Sequence, residues 1–221
     1  MRKTPREGIF ITIEGPDGSG KSTQIELLHS YLRARNLPVL VTREPGGTPA
    51  GEAIRKILLE PVATHELAAE TELFLFAASR AQHVRERIQP ALSQGRIVVA
   101  SRFIDATVAY QGYGRRLPLE MIHAINELAT GGMKPDLTII LDIETEEGLR
   151  RAWAVDKDTP PGEGDRIEAA GTEFHQRVRQ GYLAIAEAEP ERCVVIKSDR
   201  TICEVAADIS RCVDGRFCLG K

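Results

Sequence analysis

"EGPDGSGKST", residues 14–23, is the stretch from which the fold is read. Gly15 to Ser22 fit the pattern G-x-x-x-x-G-K-[ST]. In such a loop successive backbone N–H groups curl around phosphate oxygens, the lysine adds a mobile charge, and the hydroxyl reaches Mg²⁺. The pattern needs a strand before it and a helix after it. Here "GIFITIE" (8–14) reads as a buried strand, and "GKSTQIELLHSYLRARN" (20–36) has the apolar spacing of an amphipathic helix. Two carboxylates, Glu14 and Asp17, stand in a loop meant for anions, so each needs a task other than binding phosphate directly.

The same alternation continues outward. "LPVLVTRE" (37–44), "RIVVAS" (96–101), "DLTIILDI" (136–143) and "RCVVIKS" (192–198) are short apolar runs of the kind that strands covered on both faces show. Helical patterns separate them. One begins at Thr48 as N-cap with Pro49 in the first turn, and another spans 65–95 with a break near Pro90 and an end at Gly95. The expected fold is α/β: a doubly wound, five-stranded parallel sheet with helices on both faces, of the P-loop NTPase type. At 221 residues the chain reads as one domain, with tails at 1–7 and 215–221. "AWAVDKDTPPGEGDR" (152–166) breaks the pattern with paired prolines, acids and glycines, and is read as a short lid over 153–166.

A formal net charge of −3 gives no global basic footprint, which argues against a dedicated nucleic-acid binder. No apolar run reaches the roughly 18 residues of a membrane span, so a cytoplasmic protein with no membrane partner is expected. Cys193, Cys203, Cys212 and Cys218 all lie late in the chain without C-x-x-C spacing and are read as reduced thiols.

A phosphate loop alone leaves the reaction open among GTPases, motor ATPases and small-molecule kinases. The second ligand site has to be read elsewhere. Phe76 and Arg80 are four residues apart, on one face of a helix, where a ring and a planar guanidinium can meet the same base. Taken alone, the pair reads as a core phenylalanine beside a surface arginine. "SRFIDATVAYQGYGRR" (101–116) follows the third strand, at the carboxyl edge where doubly wound sheets bind ligands. It offers Arg102 to a phosphate and Thr107, Tyr110 and Gln111 to a nucleotide. Arg55 points either into a cleft or into water.

The segments "FITIEGPDGSGKSTQ", "TREPGGTPAGEAIR", "LFLFAASRAQH", "SRFIDATVAYQGYGR", "KPDLTIILDI" and "GDRIE", in this order, resemble bacterial thymidylate kinases over about residues 8–213. The resemblance implies transfer of the γ-phosphoryl of ATP, with Mg²⁺, to thymidine monophosphate (dTMP) in dTTP biosynthesis, by a homodimer. Another nucleoside or nucleoside-monophosphate kinase is the alternative.

Carried over by position, Gly15, Pro16, Asp17, Gly18, Ser19, Gly20, Lys21, Ser22 and Thr23 would surround the ATP phosphates. Arg55 and Arg102 would hold the acceptor phosphate, Phe76 would stack on thymine and Arg80 would reach its O4. Glu44, Thr107 and Gln111 would belong to the same acceptor site. Tyr110 would crowd the 2′ position and Asp17 would bond the 3′-hydroxyl. Lys21, Arg102, Asp17 and two lid arginines, Arg151 and Arg166, would carry catalysis, and Ser22, Asp17 and Glu14 are the candidates to place the metal, with a structural ion pair the other reading of Glu14.

Four positions depart from the family pattern. Ser101 stands where an aspartate is usual, Gly18 where one subclass has an arginine, and Trp153 and Val155 where further lid arginines are expected. The lid's basic candidates are thereby reduced to Arg150, Arg151, Lys157 and Arg166.

Overall fold

The structure is a computed structural model that describes residues 8–59, 67–155, 166–217 and 219. The expected N-terminal tail, most of the lid including Lys157, and Cys218 lie outside the described residues. Five strands, β1 (Ile9–Glu14), β2 (Val39–Arg43), β3 (Ile97–Ser101), β4 (Leu137–Asp142) and β5 (Cys193–Lys197), form one sheet in the order β2-β3-β1-β4-β5. Every pairing is parallel. After β1 the chain leaves toward β2, and after β4 it leaves toward β5. A crevice therefore opens between these two neighbours at their carboxyl ends.

β1 is central and buried along its whole length, and its side chains alternate between two cores. Ile9, Ile11 and Ile13 face α1 (Lys21–Arg33) and α9 (Ile202–Arg216), packing with Leu28, Leu32, Val205 and Ile209. Phe10 packs on the opposite face with Val84, Ile88 and Phe103, and Thr12 meets Thr138 through a buried hydroxyl contact of 2.9 Å. The period of two sends Glu14 to this second face, beneath α8 (Thr172–Ala188).

Among the described residues the remaining α-helices are α2 (Pro49–Leu59), α3 (Ala69–His83), α4 (Gln89–Ser93), α5 (Ile104–Thr107), continued by a π-helical stretch over Val108–Gly114, α6 (Leu119–Thr130) and α7 (Thr145–Val155). α2 starts as expected, with the Thr48 hydroxyl accepting from the Gly51 N–H at 3.0 Å. The helix expected over 65–95 begins at Ala69, and its break precedes Pro90. Val84–Ile88 widen into a π turn in which the Gln89 N–H reaches back to the Val84 carbonyl. A longer register next to a residue without an N–H spares the ladder one missing bond. At the other end, α9 runs to Arg216, and Phe217 and Leu219 are buried in the core. The chain is therefore still packed where a tail from 215 was expected.

Candidate active site

The phosphate loop joins β1 to α1. Its glycines are structural requirements: a Cβ on Gly15 (φ +137°) would come within 2.4 Å of the Leu141 carbonyl oxygen, and one on Gly18 (φ +71°) within 1.8 Å of the Gly148 oxygen. The second contact answers one departure from the family pattern. The backbone of α7 occupies the space an arginine at position 18 would need. The first turn of α1 contains no acid, which leaves its positive end to a bound anion. The Lys21 ammonium is folded onto its own loop, donating to the carbonyls of Gly15 (3.0 Å) and Pro16 (2.7 Å).

This loop forms one end of a cavity of about 860 Å³. Arg55, Phe76, Thr107, Tyr110 and Gln111 line the other end, and Arg102 is among its walls. The cavity thus unites residues spread over nearly 100 positions of sequence. Arg102 adopts a left-handed backbone, φ +67°, uncommon for a side-chain-bearing residue. Its guanidinium donates to Asp17 Oδ1 (2.5 Å), the Tyr110 hydroxyl (2.9 Å) and the Tyr182 hydroxyl (3.1 Å), and Tyr110 in turn donates to Asp17 Oδ2 (2.8 Å). Burial works to raise the Asp17 pKa, but the Arg102 and Lys21 charges outweigh it and hold the carboxyl below its usual range.

Glu14 is placed differently from the expectation that it serves the metal. It is fully buried and away from the cavity. One oxygen accepts from the Phe103 N–H (2.6 Å) and the other from the Tyr182 hydroxyl (2.9 Å). The alternation along β1 turns it into the α8 face, away from solvent. Burial, reinforced by the Asp105 charge, pushes its pKa up to about 7, against the opposing pull of Arg102, Tyr182 and the Phe103 amide.

At the base end, Phe76 lines the cavity while Arg80 lies behind the wall, 1 % exposed. Arg80 donates to Glu44 (2.8 Å), Thr107 (2.8 Å), Asn126 (2.7 Å) and the Phe103 carbonyl (2.8 Å). Four of its five N–H groups thus meet protein acceptors. Glu44 gives its second oxygen to His83 Nδ1 (2.9 Å), and His83 Nε2 pairs with Thr42 (2.6 Å). Glu44 thereby orients Arg80, and it also lines the cavity. The Arg55 guanidinium donates to the Pro45 carbonyl (3.0 Å) and lines the cavity, so of its two readings the cleft is the one observed.

The lid arginines part company. Arg151 lines the cavity, held by Glu147 (2.6 Å) and the Ser198 carbonyl (3.1 Å). Arg150 is exposed and pairs with Glu147. Arg166 does not reach the ATP end: it is buried, 2.6 Å from Glu72 on α3, and its Nε donates to the Leu58 carbonyl. Arg166 is thus placed with the α3 carboxylate Glu72, which also holds Gln111 (2.6 Å) and Arg115 (3.0 Å), and not beside the phosphate loop where a lid role was expected.

Residues that sequence reasoning missed also line the cavity. Ser198, Arg200 and Thr201 come from the loop between β5 and α9, and Ile202 from the start of α9. Their position after a strand, at the carboxyl edge of the sheet, was a usable signal. Tyr182, His83 and Asn126 gave no local signal, since each acts through partners far away in sequence.

The thymidylate kinase family model matches residues 13–209. The chain belongs to the thymidylate kinase family. Among its relatives, the thymidylate kinase of Halothermothrix orenii is 47 % identical over 214 residues, covering 97 % of this chain and 99 % of that protein. That of Symbiobacterium thermophilum is 48 % identical over 206 residues, covering 93 % and 92 %. The crystal structure of thymidylate kinase from Ehrlichia chaffeensis superposes with a TM-score of 0.74 at 36 % identity, covering 94 % of this chain and 98 % of that one. The parallel P-loop sheet is therefore the thymidylate kinase fold.

Proposed function

We propose that this chain phosphorylates dTMP to the diphosphate with ATP as donor, and that the residues of the single continuous cavity divide between the two nucleotides. The observation that carries this reading is the position of Arg102: it lines the same cavity as the phosphate loop and as Phe76, Thr107 and Gln111. An oxygen of the acceptor phosphate attacks the γ-phosphorus as the bond to the β-phosphate oxygen breaks. The transferred group passes between anions, so positioning and charge neutralisation supply most of the catalysis. Lys21 and the loop amides hold the donor phosphates, and Arg102 and Arg55 hold the acceptor phosphate. Phe76 stacks on thymine, Arg80 offers O4 its remaining N–H, Thr107 and Gln111 line the base pocket, and Tyr110 crowds the 2′ carbon. Asp17 takes the 3′-hydroxyl.

Mg²⁺ neutralises phosphate charge when bound. Its preference for a few oxygen ligands, with phosphates and waters completing the shell, fits Ser22 and Ser101, whose residues line the cavity beside the loop. It does not fit Glu14, whose oxygens are buried and taken. The charge that position 101 lacks is left to the phosphates themselves.

A homodimer belongs to the same reading. Ile57 on α2, Phe74 on α3 and Leu128 on α6 are exposed apolar side chains, and the contacts of α3 with both α2 and α6 gather these helices into one layer. Sedimentation of the purified chain at twice the monomer mass is expected. The donor and acceptor chemistry also fits a cytoplasmic enzyme, and among the described residues no helix is long and apolar enough to cross a membrane.

The test is a turnover panel of nucleoside monophosphates with ATP. The highest kcat/KM is expected for dTMP, and preference for a ribonucleotide or a purine would overturn the assignment.

A further inference from the structure

The most distinctive unused feature is a buried chain of groups running behind Arg102. Its backbone is held first. The Arg102 N–H still bonds to the Ile13 carbonyl (3.1 Å), the next amide, Phe103, donates to Glu14 Oε1 (2.6 Å), and between these two bonds the chain turns through the left-handed region at φ +67°. Such a conformation costs on the order of 1 kcal/mol or more without glycine and persists only where its surroundings over-determine it. The side chain is held second. Arg102 Nη1 donates to the Tyr182 hydroxyl (3.1 Å), which donates onward to Glu14 Oε2 (2.9 Å). A single carboxylate thus fixes both the backbone turn and, through one phenol, the guanidinium.

Glu14 and Tyr182 are 0 % and 1 % exposed, and neither lines the cavity. They do not line the cavity, so any effect on transfer passes through a neighbour that does: Arg102, bonded to the Tyr182 hydroxyl, or Tyr110, whose ring meets the Tyr182 ring edge-on at 6.3 Å, a contact that Tyr182→Phe keeps. Asp17 and Tyr110, the other partners of Arg102, both line the cavity and are available to substrate. When Asp17 turns to a sugar hydroxyl, Tyr182 is the partner that still restrains the guanidinium.

We propose that Tyr182 and Glu14 are positioning residues for phosphoryl transfer, which keep Arg102 aimed at the acceptor phosphate while its cavity-side partners exchange for substrate. The proposal rests on the assignment of Arg102 to that phosphate. Errors of about 1 Å in such placement cost up to roughly 100-fold in rate, so loss of the Tyr182 hydroxyl is placed between about 10- and 100-fold.

The experiment is a double-mutant cycle of Tyr182→Phe and Arg102→Lys, with kcat and both KM values measured for each folded variant and melting followed alongside. Tyr182→Phe is expected to lower kcat/KM for dTMP by about 10-fold or more, with the KM for ATP within about twofold. In the Arg102→Lys background the same change is expected to have almost no further effect, because the group it restrains is gone. A Tyr182→Phe enzyme with normal turnover, or one whose loss persists in full beside Arg102→Lys, would overturn the proposal. Full turnover in Arg102→Lys alone would instead overturn the role given to Arg102. If Tyr182→Phe does not fold, Glu14→Gln replaces it in the cycle with the same expectations, and failure of both to fold would assign the pair to the core and end the proposal.

Discussion

The two ends of the cavity are built on different principles. The donor end is made of backbone: a loop shaped by glycines, a helix start free of acids, and a lysine folded against local carbonyls no more than six residues away. The acceptor end is made of side chains buried in layers, with Arg80 tied to Glu44, Thr107 and Asn126 across 27 to 46 residues of sequence. A backbone cradle accepts any polyphosphate, since its N–H groups read charge and shape. A base pocket has to distinguish one set of edge groups, and a buried guanidinium with four of its five N–H groups bonded to protein can do so because misplacing it leaves charges unpaired. On the proposed division, generality and selectivity sit at opposite ends of the cavity, with Arg102 in its wall.

Lesions at the two ends should separate in the kinetics. Lys21→Ala has the largest expected effect: kcat falls about 1000-fold, the range for losing a preorganised donor to a transferring group. dTMP affinity by calorimetry should stay within a few-fold, and an equal loss of dTMP affinity would break the division. Arg80→Met should do the reverse. dTMP binding weakens by about 100-fold while the KM for ATP holds, and because Glu44 loses its cation, denaturant unfolding should show a loss of about 3 kcal/mol. A variant weakened equally toward both ligands would show that the base end is not separate.

Glu14 allows a test between the ends by pH. Its folded pKa of about 7 lies above the unfolded value of 4.5, with burial and then the Asp105 charge raising it and Arg102, the Tyr182 hydroxyl and the Phe103 amide opposing. The folded protein therefore holds a proton that the unfolded chain has released between these values. The associated stability is complete below about pH 4.5 and is lost as pH rises through 7, by an amount on the order of 3 kcal/mol. Glu14→Gln removes this titration, so its stability relative to the natural chain should be more favourable at pH 8 than at pH 5. A difference constant across that range, measured by denaturant unfolding, would contradict the buried assignment.

The same division governs what the sequence could tell. All five strands, the Thr48 cap and the phosphate loop follow from neighbours in the chain, and so were legible. Phe76, Thr107, Tyr110 and Gln111 reached the cavity because they lie on elements whose place the fold dictates. Glu14 was read either as serving metal-bound water or as a structural ion-pair partner; its oxygens meet the Phe103 N–H and the Tyr182 hydroxyl, on the α8 face to which the alternation of Ile9, Ile11 and Ile13 against Phe10 and Thr12 already sent it. Tyr182 could not be read at all: its partners are 80 and 168 residues away. Arg166 was read by its place in the lid, whereas its position is set by Glu72, a buried acid nearly a hundred residues earlier.

The lid supplies the smallest and most discriminating test, because its two ends are fastened to the two halves. Arg151 is held by the Ser198 carbonyl in the loop after β5, on the donor side, and is about a third exposed. Arg166 is buried against Glu72, which also grips the base-pocket residue Gln111. An exposed arginine contributes on the order of 1 kcal/mol, so Arg151→Ala should raise the KM for ATP about fivefold and leave dTMP binding and melting unchanged. Arg166→Met removes a charge-assisted contact from a carboxylate that retains Arg115 and Gln111. It should cost about 2 kcal/mol of stability and weaken dTMP binding through Gln111, with the KM for ATP unmoved. If both substitutions shifted the same ligand, the lid would be one unit serving one nucleotide. If they split as expected, Arg151 serves the donor end and Arg166 the acceptor end of the cavity.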